Sequence, residues 1–200
     1  MSPEARRSVI ERVTGQKVVC PWWLCYTFDN PLRRLIHPAD RVVGPYVRPG
    51  DRVIDIGPGM GHFTLPLAKR VGPTGCVTAI DIQAKMLSTL MARARKRGVP
   101  DVIRTHLASL TSLGSHEPVD FILAFWMLHE VPDQGAFLSE IRTLLKSTGA
   151  FLLVEPKFHV PRSNFLHTLQ TAQDGGWVIR EEPRIRMSHS ALLVPGESGR

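Results

Sequence analysis

Apolar and polar positions alternate along this chain in a way that predicts strands and helices in turn. Short apolar runs bounded by glycine or proline are typical of buried strands, whereas apolar residues three and four positions apart are typical of helices. The segment 107–117 is polar and is expected to be a loop. The predicted strands are 52–54, 76–80, 101–106, 118–125, 150–155, 177–181 and 184–194, and the predicted helices are 62–70, 83–97, 133–146 and 163–173.

The order of these elements predicts the architecture. Strands that alternate with helices of this length favour an α/β fold, a doubly wound and mostly parallel sheet with right-handed crossovers. The last two predicted strands are separated by a turn at Pro183 rather than by a helix. We therefore expect a hairpin at one edge of the sheet.

Length and composition narrow the class of protein. The 200 residues fit one domain with a well-buried sheet. No apolar run reaches the ~20 residues of a membrane span, and the N-terminus lacks the apolar core of a signal peptide, so we expect a cytoplasmic protein. Three cysteines favour reduced thiols. The net charge of +7 is scattered, and its densest group, 93–97, suits a helix C-terminus, so nucleic acid is not the expected partner.

A glycine-rich run, Asp55-Ile-Gly57-Pro58-Gly59-Met-Gly61, follows the first predicted strand. Glycine at a strand-to-helix turn adopts positive φ and brings backbone N–H groups close to a ligand. A dinucleotide fingerprint needs its third glycine where His62 stands, and no Gly-Lys-Ser/Thr follows as in a phosphate-binding loop. The acid before the glycines suits a cationic ligand.

A second acid, Asp81, stands at the end of the second predicted strand. Its distance from the glycines is about the ~20 residues at which nucleotide-binding folds place the acid that binds ribose hydroxyls. This spacing alone suits NAD equally well, and an acid after a strand is also a common helix N-cap.

The glycine run and Asp81 together resemble the class I S-adenosylmethionine-dependent methyltransferases, whose first motif is Asp/Glu-x-Gly-x-Gly-x-Gly. The resemblance covers about residues 42–156 and includes a late segment, Leu-Leu-Lys146-Ser-Thr-Gly149, that leads into the fifth strand. It implies a Rossmann-like seven-stranded sheet with an antiparallel last strand. It implies S-adenosyl-L-methionine as cofactor, with the following binding residues: Asp55, Gly57, Pro58, Gly59 and Gly61 for the methionyl end, Asp81 for the ribose, Ile82 next to it in the chain, Ala108 and Ser109 beside the adenine, and Phe125 along the cleft.

One position departs from the family pattern. The family often carries an acid after the third strand that contacts the adenine amino group, whereas this chain has Leu107-Ala108-Ser109. The Ser109 hydroxyl or backbone groups of this loop are the substitutes that the sequence offers.

The segment after the fourth predicted strand is expected to face the reacting methyl group, because ligands bind beyond the carboxyl ends of parallel strands. His129 and Glu130 are candidate general bases there, and histidine titrates near neutral pH. They have an alternative role, which is to shape the loop before Asp133. Phe125-Trp126-Met-Leu-His129 lacks the Asn/Asp-Pro-Pro-Tyr/Phe of methyltransferases acting on nucleic-acid bases. It resembles the ubiquinone- and menaquinone-biosynthesis group.

Aromatic residues are concentrated ahead of the first strand, in the segment 20–34. Tyr26, Asn30 and Arg33 are candidate acceptor-binding residues, together with Trp126, although the same segment also suits a helix that packs on the sheet. Cys20 and Cys25 have no second ligand pair at metal-binding spacing, so no metal is expected.

The sequence thus predicts a single methyltransferase domain over 1–200. Its parts are an N-terminal helical cap and substrate segment (1–40), a cofactor-binding core (41–160) and a terminal helix with a strand pair (161–200). The expected reaction transfers a methyl group to a small-molecule oxygen, carbon or nitrogen acceptor, in a monomer or homodimer. Two alternatives stay open: an NAD-dependent oxidoreductase, and a non-catalytic or RNA-directed relative of the methyltransferase fold.

Overall fold

Strands and helices alternate along residues 31–109 and 111–196, which are the residues that the computed structural model describes. Two short 3₁₀ turns, Pro100–Val102 and Leu128–Glu130, lie between these elements. The strands are β1 (Arg52–Ile56), β2 (Cys76–Asp81), β3 (Ile103–Leu107), β4 (Val119–Phe125), β5 (Leu145–Pro156), β6 (Trp177–Glu181) and β7 (Ser188–Pro195). The helices are α1 (Pro31–Ile36), α2 (Ala39–Val42), α3 (Thr64–Val71), α4 (Ala84–Lys96), α5 (Gln134–Thr143) and α6 (Arg162–Asp174).

The seven strands form one sheet in the order β3-β2-β1-β4-β5-β7-β6. The pairs from β3 to β5 are parallel, and β7 runs antiparallel to both of its neighbours. This arrangement confirms the predicted mostly parallel sheet with an antiparallel last strand. The strand order reverses between β1 and β4, and the loops that follow these two strands therefore open on one cleft.

Two apolar layers cover the sheet. Phe63 and Leu67 of the α3 region and Leu90 of α4 pack with one face, whereas Ile141 of α5 and Phe165 of α6 pack with the other. Apolar side chains at helical spacing produce these faces, and Met86, Leu87 and Leu90 of α4 are all buried. On α5, Leu138 is buried and Phe137 is partly buried.

Several predicted boundaries were wrong. The helix expected at 62–70 is Thr64–Val71, because residues 60–63 form the turn that leaves the glycine run. The helix expected to reach residue 146 ends at Thr143, since Leu145 already pairs with Val119 as the start of β5. The last strand begins at Ser188 rather than at residue 184, because Met187 has a φ of 56° and the Ser188 N–H closes a turn on the Ile185 carbonyl.

Candidate cofactor and acceptor site

The glycine run forms a tight turn that only glycine fits well. The N–H of Gly57 donates to the Ile80 carbonyl at 2.9 Å, which ties the turn to β2, and φ at Gly57 is 67°. A methyl group at this position would stand 3.1 Å from Cγ of Met127. At Gly59, where φ is 53°, no atom lies within 4 Å of the same methyl position, so this residue borders open space. The turn thus brings bare backbone to the cleft.

Asp55 lies directly below this turn at the end of β1 and is buried. The Thr64 hydroxyl at the start of α3 donates to its carboxylate at 2.6 Å. Burial raises the pKa of Asp55 to about 7, the Thr64 bond and the positive charge of Arg33 oppose this rise, and the negative charge of Asp81 adds to it. The site therefore holds a desolvated carboxyl that a cationic ligand would ionise.

Asp81 ends β2 on the other side of the turn. Its carboxylate accepts from the Gln83 N–H at 2.9 Å, which closes a turn just before α4. The N-cap of that helix is Gln83, so Asp81 does not cap it. Burial raises the pKa of Asp81 to about 6; N–H groups of Gln83, Ile82 and Gly59 oppose the rise, and the negative charge of Glu130 supports it. Asp81 thus lies within electrostatic reach of both the glycine turn and the predicted catalytic segment.

The loop after β3 continues from the same edge. The Ala108 N–H donates to the backbone carbonyl of Asp81 at 3.0 Å, which places Ala108 beside the second acid. The Ser109 hydroxyl lies 3.3 Å from the Thr111 hydroxyl and 3.4 Å from the Ser112 carbonyl. Its side chain is engaged within its own turn in this structure, so contact with an adenine through Ser109 stays a prediction.

Phe125 ends β4 and is buried beneath α1. Its ring centroid lies 4.6 Å from that of Phe63, and the Arg33 guanidinium stands 5.6 Å from it and 5.5 Å from the Trp126 ring. Arg33 is thus held by cation–π contacts at the site. The other two N-terminal candidates, Tyr26 and Asn30, lie outside the described residues, as do Cys20 and Cys25.

Trp126 has a backbone conformation that side chains rarely adopt, with φ at 62°. Its N–H donates to the Val154 carbonyl at 2.7 Å, and its indole Nε1–H donates to the Ser188 hydroxyl at 3.0 Å. The exposed Phe158 ring meets the indole edge-to-face at 5.2 Å. Strain held in place by neighbouring strands is typical of functional sites, and here it fixes an aromatic wall beside the cleft.

His129 makes the shortest side-chain contact at this edge. Its Nδ1 lies 2.5 Å from Oε2 of Glu155, and the Leu128 N–H donates to Oε1 of the same carboxylate at 2.8 Å. Burial alone would lower the pKa of His129, but the bond to Glu155 and the negative charges of Glu155 and Glu130 outweigh it and raise the pKa. His129 therefore contacts a buried acid of β5 rather than the loop before Asp133.

Of four further residues that matter to this geometry, the sequence indicates only Glu155, which ends the fifth predicted strand and is expected to line the acceptor pocket. Thr64 and Glu155 hold Asp55 and His129, Ser188 holds Trp126, and the buried His37 donates through Nε2 to the Arg186 carbonyl at 2.8 Å. The position of Glu155 could be inferred from the sequence, because an acid that ends an apolar strand of a parallel sheet lies at the ligand-binding edge. Ser188 and His37 act across 62 and 149 residues, separations that no local pattern reveals. Thr64 lies nine residues after Asp55, on the far side of the glycine turn.

Two further observations concern metals and membranes. Within residues 31–109 and 111–196 no cluster of three or more histidine, cysteine, aspartate or glutamate side chains has metal-binding geometry. No helix in these same residues is long and apolar enough to cross a bilayer.

The sheet order, the glycine turn and the two acids define a doubly wound α/β protein with a nucleoside-cofactor cleft at the carboxyl ends of its strands. The family model described as a methyltransferase domain matches residues 48–181. The chain belongs to this family, which confirms the predicted class and its cofactor, S-adenosyl-L-methionine, over the dinucleotide-dependent alternative.

Named relatives and solved structures agree with this assignment. The chain is 28% identical over 140 residues to aklanonic acid methyltransferase DauC of Streptomyces sp. (strain C5), covering 70% of this chain and 61% of that protein. It is 31% identical over 115 residues to demethylmenaquinone methyltransferase of Symbiobacterium thermophilum, covering 57% and 46%. A SAM-dependent methyltransferase from Aquifex aeolicus has the same fold, with a TM-score of 0.77 at 20% identity over 88% of this chain and 98% of that one. The chain thus spans about half to three fifths of the two named enzymes.

Proposed function

We propose that this chain transfers the methyl group of S-adenosylmethionine to a small-molecule oxygen, carbon or nitrogen acceptor by in-line displacement. The observation that carries the proposal is a pair of acids, the buried Asp55 and the half-buried Asp81, on the two sides of the glycine turn. Asp55 suits a positively charged ligand end, and Asp81 suits hydroxyl groups that donate hydrogen bonds. A cofactor that joins an amino acid to a nucleoside needs both.

The residues present fit this cofactor. Gly59 borders open space where a longer side chain would stand, and Asp55 is a buried carboxyl whose pKa is raised by desolvation. The cofactor supplies a methyl group already bonded to a good leaving group, so the protein has to align the acceptor and exclude water. In this proposal the glycine turn and Asp55 hold the methionyl end, Asp81 holds the ribose, and Ile82, Ala108 and Ser109 surround the base.

The chemistry of the acceptor is inferred from the residues on the other side of the cleft. Trp126 and the exposed Phe158 form an aromatic wall, and the half-buried Met127 joins it to the glycine turn. Such a wall suits a flat apolar molecule. The names of the two relatives refer to a menaquinone precursor and to aklanonic acid. A quinone-type or related aromatic acceptor is therefore our proposal, with Arg33 and Trp126 as its binding residues.

Calorimetry with S-adenosylhomocysteine tests the cofactor half of the proposal. We expect binding by the wild type and a loss of ~1–3 kcal/mol for Asp81→Ala, because the ribose hydroxyls would lose the carboxylate that accepts from them. Asp174→Asn, which changes an exposed carboxylate at the end of α6, is the matched control. Binding of NADH with no response to S-adenosylhomocysteine would contradict the assignment.

A second assay tests the acceptor half. Methyl transfer from labelled cofactor is measured in parallel on a dihydroxynaphthalene, an aromatic amine and a bulk RNA. Transfer to one of the small molecules supports the proposal. Transfer confined to the RNA, with binding that falls steeply as salt rises, would favour the RNA-directed alternative. The cytoplasmic location and the monomeric or homodimeric state stay predictions.

A further inference from the structure

Glu155 is a buried carboxylate that is not among the residues assigned to the cofactor. It ends the parallel core on β5, its side chain is 3% exposed, and both of its oxygens are occupied by neighbours from one turn. Oε1 accepts from the Leu128 N–H and Oε2 meets Nδ1 of His129. Two contacts to one turn fix both the position of that turn and the plane of the imidazole ring.

The turn held in this way lies against the cofactor cleft. Met127, which precedes it, stands against the glycine turn, with Cγ 3.1 Å from a methyl group built at Gly57. Glu130, which ends it, acts electrostatically on both Asp81 and His129. His129 therefore belongs to a turn that meets the glycine run through Met127 and that follows Trp126 of the aromatic wall directly in the chain.

We propose that Glu155 is a positioning residue that holds His129 through Nδ1, so that Nε2 takes the proton of a phenolic or enolic hydroxyl on the acceptor. This inference rests on the proposed methyl transfer and names its acceptor class. In the step, the hydroxyl proton moves to Nε2 as the oxygen electron pair forms the new O–CH₃ bond. The S–CH₃ bond breaks, its electron pair stays on sulfur, and the histidine later returns the proton to solvent.

The chemistry of the dyad selects this acceptor. A carboxylic acid is already ionised at neutral pH, and a neutral amine attacks through its lone pair without first losing a proton. A phenol with a pKa of ~10 is mostly protonated, so its attack needs a base. A carboxylate that accepts from Nδ1–H is the arrangement that fixes the tautomer of catalytic histidines and stabilises the imidazolium once it forms.

The groups facing His129 set the pH behaviour that follows. Glu155 meets it from β5, Glu130 lies on its own turn, and the His159 ring stands edge-to-face at 4.8 Å from the segment after β5. The two acids stabilise the protonated form. Replacing Glu155 by glutamine removes one of these charges while keeping the size of the side chain.

The deciding variant is Glu155→Gln, compared with His129→Gln, with the double variant and with Asp174→Asn as the exposed control. With a dihydroxynaphthalene as acceptor, we expect Glu155→Gln to lower kcat by about 10- to 100-fold and to move the acid limb of the pH profile to lower pH. The double variant should lose little more activity than His129→Gln, because the two groups act as one unit. Affinity for S-adenosylhomocysteine should stay within about twofold of wild type.

Nitrogen-15 spectra of labelled histidines follow the dyad without turnover. Above its pKa, wild-type His129 should carry its proton on Nδ1, and Glu155→Gln should lower that pKa. An Nε2–H tautomer, an unchanged acid limb, or transfer to the amine but not to the naphthol would overturn the inference. The spectra and pH profiles are measured on variants that still bind S-adenosylhomocysteine, so a negative result there contradicts only this inference. Failure of the wild type to bind S-adenosylhomocysteine would instead contradict the proposed function.

Discussion

The Thr64 hydroxyl donates a 2.6 Å hydrogen bond to the carboxylate of Asp55, and both side chains are buried. This bond is the polar support of a carboxyl that lies at the centre of the proposed cofactor site. Burial nonetheless dominates and raises the pKa of Asp55 to about 7. The protonation of one residue therefore couples cofactor binding and folding stability to pH near neutrality.

Cofactor affinity should depend on pH through Asp55. A cationic ligand end binds the ionised carboxylate, so at pH below about 7 the protein has to lose a proton before binding, which costs affinity. We expect the affinity for S-adenosylhomocysteine to rise about fivefold or more between pH 6 and pH 7.5, measured by calorimetry. Asp55→Asn should bind more weakly and lose this dependence; a variant that keeps the wild-type pH profile would show that another group is responsible.

The free energy of unfolding of the ligand-free protein should change in the opposite sense. The pKa of Asp55 is raised by folding, so its contribution favours the folded state fully below its unfolded pKa and is lost as pH rises through about 7. Asp55→Asn removes this penalty. Denaturant titrations should therefore find the variant more stable than wild type at pH 8 and closer to it at pH 5.

Thr64→Val should reveal the value of the supporting hydrogen bond. Valine keeps the shape but leaves a buried carboxylate without its donor, which is expected to cost ~1–3 kcal/mol at pH 8. At pH 5, where Asp55 is protonated, the loss should be smaller. Thr64→Ser, which keeps the hydroxyl, is the matched control for both measurements, and an equal loss in the two variants would assign the effect to packing instead.

The glycine turn predicts a separation between stability and binding. Gly57→Ala and Gly59→Ala both place a side chain at positive φ, which costs roughly 1–2 kcal/mol, but only at Gly57 does the new methyl approach Met127. We expect Gly57→Ala to be the less stable of the two in thermal unfolding. Gly59→Ala should show its larger effect in S-adenosylhomocysteine affinity, because its methyl enters the open cleft. The reverse order would contradict the assigned turn geometry.

Ser188→Ala tests the aromatic wall. The Ser188 hydroxyl accepts from the Trp126 indole and donates to the Arg186 carbonyl at 3.1 Å, so alanine leaves a half-buried indole N–H without its partner. We expect destabilisation of about 1–3 kcal/mol and a raised KM for an aromatic acceptor with little change in cofactor affinity. Trp126→Phe, which removes the same bond from the other side, should raise KM similarly. A change in kcat alone would place the acceptor elsewhere.

The order of strands and helices was readable from the sequence, whereas several boundaries were not. Apolar periodicity marked α4 and the strand cores because burial requires the same faces to be apolar along the element. The helix α5 stops at Thr143 because Leu145 pairs with Val119 on another strand, and periodicity carries no information about that pairing. Ser188 likewise begins its strand only because Met187 turns the backbone at positive φ.

The candidate site likewise has a part that the sequence predicted and a part that only the structure revealed. Asp55, the glycines and Asp81 were found from sequence because a turn that approaches a ligand needs glycine, and the acids occupy fixed places at the ends of adjacent strands. By itself the sequence determined the fold class and the cofactor, and it predicted which residues hold that cofactor. The tertiary structure alone decided that Thr64 supports Asp55, that Ser188 holds Trp126 and that Glu155 holds His129. Side-chain hydrogen bonds between distant segments depend on how the strands and helices are placed in space, and local patterns do not encode that placement.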